Sequence, residues 1–352
     1  MSDIQFVPPR CPNRRCEAHW RPKPGFFTRK GVYSARCRPE PIPRFRCRVC
    51  RRGFSRQTFR LDYRDRRPET NAPLFVLLSS GVGLRQAGRT LRLDVHAVQK
   101  KFRKVARHLR LLNRNLVREL PGGCALQLDE IESYEHRRIT PLTIPVLIDG
   151  PSKMVITIEV APIRRVAQKG SARRRWLDRF EEKHGRREDR GHAAVRRTFG
   201  RMQRLLGNRP ARLNTDQKAT YARMCQARFG DTVTHTVVSS KLPRTVSNPL
   251  FAINLTEAMM RDNNGRLRRR TWLVSKLGSR LRLQAELFAA YRNWHRNRHN
   301  DDPPGYTPGV ALGFCKRRIE VQELVAWRQD WRLRSIHPQS ADGARTVAEA
   351  VA

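Results

Sequence analysis

The period at which apolar residues recur changes along the chain, and the changes mark out its parts. Residues 1–66 carry short extended runs among Pro, Arg and Cys and no sustained helical stripe. Burial alone cannot hold so apolar-poor a segment, so a staple is expected there. Over residues 70–120 the spacing turns helical, with Pro73 near the start of a first helix, until Pro121-Gly122-Gly123 breaks the pattern at an expected domain boundary.

Beyond the break the period shortens to that of strands. Residues 125–129, 142–148 and 154–160 read as three consecutive antiparallel strands, with Asp129 ending the first and Asp149-Gly150 turning between the second and third. Residues 164–190 are dense in charge and read as an insertion or a solvated helix. Helical spacing over 193–206 and 220–229 then alternates with strands at 211–214 and 232–238, which implies parallel pairing. An Arg-rich helical region over 248–298 completes a core spanning 124–300. Asp301-Asp302-Pro303-Pro304-Gly305 leads into a tail, 301–352.

Charge narrows the partner. Lys and Arg number 73 against 31 Asp plus Glu, a formal net charge of +42 spread over 352 residues. Such a chain calls for a polyanion, and the excess of Arg over Lys without a dominant amphipathic helix favours nucleic acid over a membrane surface. No stretch approaches the ~18 apolar residues of a membrane span, and the first residues lack a signal peptide's apolar core, so a cytoplasmic protein is expected.

Five of the eight cysteines fall in the first 50 residues, which fits a reducing compartment and one metal site. Cys11 pairs with Cys16 and Cys47 with Cys50, the second pair followed by Arg51-Arg52-Gly53-Phe54. Four thiolates suit tetrahedral Zn2+, and a domain this small draws folding free energy from binding it. The expectation is a zinc ribbon, with Cys37 or His19 as a substitute for one ligand.

Residues 84–109 read as two helices meeting at a short turn. Asp94 is placed to cap the second, and Val98, Phe102, Val105 and Leu109 form its inner stripe. His96, Gln99, Lys100, Arg103 and Arg107 fall on the outer face. Gln and Arg side chains pair two-pronged with base edges and Lys suits phosphates, so a helix-turn-helix that binds double-stranded DNA is expected. Asp129, followed by Glu130, and Asp216 both fall at strand ends. Two such carboxylates and a third acid are the donor set for magnesium-assisted phosphoryl transfer.

The order of these parts, and several stretches within residues 8–298, resembles the bacterial insertion-sequence transposases of the DDE class. The stretches are Cys47-Arg-Val-Cys50-Arg-Arg-Gly-Phe-Ser, Leu128-Asp129-Glu130-Ile131-Glu132-Ser133-Tyr134, Asn214-Thr215-Asp216 and the run from Arg266 through Thr271-Trp272 to Ser275-Lys276. The resemblance implies a multidomain fold: zinc ribbon, all-α helix-turn-helix, and an α/β RNase H-like core with a mixed sheet. It implies Asp129 and Asp216 as the first two ligands of catalytic Mg2+ or Mn2+. It also implies that the last run, with Arg266, Arg268, Arg269, Arg270, Trp272 and Lys276, is a basic helix that contacts DNA.

Counting back from Arg266, the third-acid position falls on Asn254, which brings no charge; Glu257 lies three residues on, on nearly the same helical face. Two expectations therefore stand: a transposase that cuts and joins mobile-element ends and target DNA, or a catalytically inactive, transposase-derived DNA-binding regulator. Pairing two DNA ends implies a homodimer or larger assembly, and the family implies a bacterial, nucleoid-associated protein. Farther along the Arg-rich region, Arg292, Arg296, Arg298, Tyr291 and Trp294 add an expected phosphate- and base-gripping face above a core of Leu281, Leu283, Leu287 and Phe288.

Overall fold

A computed structural model describes residues 6–35, 38–239, 241–269 and 271–328. Short helix α1 (Glu17–Trp20) precedes strands β1 (Phe27–Ala35), β2 (Arg38–Cys47) and β3 (Gly53–Ser55), which pair antiparallel in that order. Beneath this ribbon lies an aromatic core of Phe6, Phe26, Phe45, Phe54 and Phe59. The segment is therefore richer in buried apolar contacts than its composition suggests, because rings large enough to fill a small core need not recur periodically.

Helices α2 (Asn71–Ser79), α3 (Leu84–Leu91) and α4 (Val95–Leu116) follow. Arg92 adopts a left-handed conformation to turn the chain between α3 and α4. Asp94 caps α4 by accepting from the His96 N–H at 2.8 Å and the Ala97 N–H at 3.4 Å. Lys101 is buried on α4 and donates to both Asp65 carboxylate oxygens at 2.6–2.7 Å, to Asn71 Oδ1 at 3.1 Å and to the Arg67 carbonyl at 2.9 Å. The link between ribbon and helices is thus tied down by a satisfied buried charge.

The sheet comprises β4 (Cys124–Tyr134), β5 (Pro141–Asp149), β6 (Val155–Ile158), β7 (Ala161–Pro162), β8 (Ala211–Thr215) and β9 (Val233–Val237). Its order is β6-β5-β4-β8-β9, with β7 on β5; β4, β5 and β6 pair antiparallel, while β8 and β9 run parallel to β4. Between these strands lie α5 (Ala172–His184), α6 (Gly191–Leu206) and α7 (Ala219–Phe229). After them come α8 (Phe251–Asp262), α9 (Gly278–Trp294), α10 (Pro308–Ala311) and α11 (Val321–Ala326). The protein is thus a cysteine-bearing ribbon joined to a body of helices and a mixed sheet. No helix among the described residues is long and apolar enough to cross a membrane.

Four expectations change. Asp129 does not end its strand: β4 continues to Tyr134, because after Leu128 it loses β8 as a neighbour but keeps pairing with β5. The Arg-rich region is not one helix, since Asn263-Asn264-Gly265 stops α8 and the chain stays irregular to Leu277. Within α9, Arg292 and Trp294 are fully buried: Arg292 donates to the Asn297 and Arg298 carbonyls and Trp294 to Asn113, so neither grips DNA. Finally, residues 308–327 pack as core. His108 and Trp327 meet edge to face, and one continuous cluster runs from Leu61 through the helices and sheet to Trp327. Pro121-Gly122-Gly123 accordingly joins elements within one packed body, with the Gly123 N–H bonded to the Pro210 carbonyl at 2.8 Å. The charged segment 164–190 does hold a largely solvated helix, α5, with only Leu177 buried.

Candidate active site and nucleic-acid interface

Cys11, Cys16, Cys47 and Cys50 converge, their sulfur atoms all within 4.8 Å of one another. The Cys11–Cys50 and Cys16–Cys47 pairs are 3.5 and 3.8 Å apart. A tetrahedron with ~2.3 Å Zn–S bonds has edges of ~3.8 Å, so this quartet fits zinc. His19 does not join it: its Nδ1 is 2.7 Å from the Cys11 carbonyl. Cys37 lies outside the described residues. Burial pushes the Cys11 and Cys16 thiols up. Cys50 is only half-buried; what burial it has opposes ionisation, but the Arg52 amide and neighbouring side chains outweigh that and draw it down to about 7.

Pairing of β4 with β8 ends at Leu128 opposite Thr215, so Asp129 and Asp216 follow on adjacent strands at the same level of the sheet. Strand alternation sends Asp129 and Glu130 to opposite faces. Glu130 is fully engaged, accepting from Tyr221 at 2.6 Å and from Lys218 and Thr143. Asp129 is raised by burial and by the Asp216 charge. On α8, Glu257 is pushed up to about 8, first by burial and then by Asp129. Its Oε1 is buried without a hydrogen-bond partner. Asn254 instead donates its amide to the Leu250 carbonyl of its own helix at 2.9 Å.

None of these three carboxylates makes an ion pair among the described residues; Arg244, exposed on the loop before α8, draws both Asp129 and Glu257 down electrostatically. Sequence reasoning missed Arg244, since nothing near it in the chain is acidic. It also missed Gln127. This buried side chain donates to the Pro249 carbonyl and accepts the Ile253 N–H, both at 2.8 Å, pinning the start of α8 to the strand that carries Asp129. The three acids are spaced more widely than the cysteines: the thiol quartet is the one group of three or more potential ligands among the described residues within 4.8 Å. A cavity of about 400 Å³ opens against Asp129, Asp216, Lys218 and His192.

On α4, Val98, Phe102, Val105 and Leu109 are buried, His96, Gln99, Lys100 and Arg107 exposed, and Arg103 half-buried with its Nε donating to the Gln99 carbonyl at 3.2 Å. Gln99, Arg266, Trp272 and Lys276 line one groove of about 590 Å³, bringing together the expected reading helix and the basic run 167 or more residues later. Gly265 makes this approach possible: a Cβ there would lie 2.5 Å from Leu273 Cδ1 and 2.7 Å from the Gly81 carbonyl. Trp272 is wholly exposed and Arg268 and Arg269 are exposed in part, whereas Arg266 is half-buried over the Phe102 ring at 5.7 Å. Arg270 lies outside the described residues. Burial, and after it the charges of Arg103 and Arg107, lower Arg280 of α9, which extends the basic face by a residue that sequence distance conceals.

No protein-family model matches the chain, and no curated protein matches it. Among solved structures it is similar to one titled "CryoEM structure of simian T-cell lymphotropic virus intasome in complex with PP2A regulatory subunit B56 gamma". Identity is 14% over 69% of this chain and 72% of that one, with a TM-score of 0.30.

Proposed function

We propose that this protein is a DNA transposase of RNase H-like fold that binds the ends of a mobile element and catalyses metal-dependent strand cleavage and transfer. The observation that carries the reading is Glu257: a buried, unpartnered carboxylate raised by Asp129, which is itself raised by Asp216. A purely structural acid in that position would have its oxygens hydrogen-bonded, because an unsatisfied buried polar group is costly. Neighbouring perturbed acids, one of which, Asp129, opens onto a cavity, instead mark a site that stores repulsion for a cation to relieve.

In this reading Asp129 and Asp216 hold Mg2+ or Mn2+, with Glu257 as third acid and Asn254 spectating. The ions supply activation of a water or 3′-hydroxyl and stabilisation of the leaving oxygen. Lys218 and Arg244 border the acids and orient DNA phosphates, while Gln127 keeps α8 in register. The α4 face and the Trp272 groove grip the double-stranded end, the thiol quartet holds structural zinc, and a dimer or larger assembly pairs two ends.

Purified protein incubated with its element's terminal repeats and magnesium should nick and join DNA, and chelator should stop it. If neither magnesium nor manganese supports cutting while specific binding persists, the protein is a DNA-binding regulator instead.

A further inference from the structure

A second cleft, of about 430 Å³, lies across α6 from the acidic cavity. Helix α6 lines it with Arg196, Arg197, Arg201 and Arg204, and α4, α7 and α9 add Arg114, Arg228 and Arg282. Two carboxylates face these seven guanidinium groups. Glu159 is consumed by Arg197 at 3.0 Å and Arg282 at 2.8 Å, and Glu286 is pushed up to about 7 by burial. Arg114, Arg196, Arg204 and Arg228 have no carboxylate within ion-pair distance among the described residues. The buried Nε of Arg282 has no partner either. Gly200 stands between these groups, leaving the middle of the helix open where a side chain would meet Arg204 and Arg228.

We infer that this cleft binds successive phosphates of a single DNA strand. Clustered, uncompensated guanidinium groups are a phosphate receptor by charge and fork geometry. A cleft of about 430 Å³ has room for a short stretch of one sugar-phosphate backbone and not for a whole duplex. His192 lines the acidic cavity and Arg196 the cleft, and their side chains lie 3.4 Å apart, so a strand leaving the acids along α6 arrives here. The inference rests on the reading of the chain as DNA-binding and is independent of whether it cuts.

The test measures binding of the full chain to a twenty-nucleotide oligo-dT over a range of salt, with no cleavage step. Arg114→Gln/Arg204→Gln should weaken binding about tenfold and flatten the log-log salt slope by ~1.4, two lost contacts on a single strand. Arg173→Gln/Arg179→Gln on exposed α5 removes the same charge and should leave that slope nearly intact. Arg114→Lys/Arg204→Lys should recover it, which separates phosphate contact from misfolding. Equal slopes for the cleft and α5 variants overturn the proposal. So does a cleft variant that loses inorganic tripolyphosphate while holding oligo-dT as wild type does, since the ligand is then a free polyphosphate.

Discussion

At the scale of single residues, Glu257 is the most informative. Its carboxyl sits at about 8, above the usual 4.5, because burial and Asp129 oppose its charge. Ionising it therefore costs the metal-free fold nothing below about pH 4.5 and progressively more up to about pH 8. Glu257→Gln should stabilise the chelator-treated protein at pH 8 by on the order of 2 kcal/mol in a denaturant melt, and should abolish strand transfer. Asn254→Ala should alter both little. Unchanged or lower stability of Glu257→Gln would show that the acid is satisfied in the fold. Sequence spacing exposed both candidates but could not rank them: counting back from Arg266 lands on Asn254, and only α8 packed on the sheet reveals which side chain faces Asp129. The pairing of Glu130 with Lys218 and Tyr221 was equally hidden, 88 and 91 residues apart.

Elements tell a different story, because their signals are local. The cysteine pairs announced the ribbon, and the intact protein should carry one zinc per chain by elemental analysis; a zinc-free, fully folded ribbon would refute the quartet. The stripe from Val98 to Leu109 and the cap at Asp94 likewise marked α4 before any packing was known. Gln99→Ala and Arg103→Ala should each cost ~1–3 kcal/mol of DNA affinity and relax sequence preference, while Lys100→Ala should weaken all DNA alike and reduce the salt slope. Sequence-blind losses in all three would remove the reading role. Continuity was the failure: basic residues and aromatics ran on from 248 to 298, yet Asn263-Asn264-Gly265 ends α8 so that Leu273 can dock against Gly83 and Gly265.

For the whole molecule, alternating periods foretold the mixed sheet, but neither they nor composition located the outer boundaries of the core. Residues 308–327 looked like a tail because Pro, Gly and charge precede them, yet Trp327 is buried against His108. Trp327→Ala should cost ~3–5 kcal/mol in a denaturant melt; a cost below ~1 kcal/mol would mean this segment merely rests on the body. The body it completes holds Asp129 and Asp216 at one level of the sheet and Glu257 on α8, and the proposed function has these three acids perform phosphoryl transfer. The most direct measurement compares wild type, Asp129→Asn, Asp216→Asn and Glu257→Gln for binding and for magnesium-dependent joining of terminal-repeat DNA. Binding should be undiminished in all four and joining confined to wild type; joining at wild-type rate by any of the three variants would rule out phosphoryl transfer by these acids.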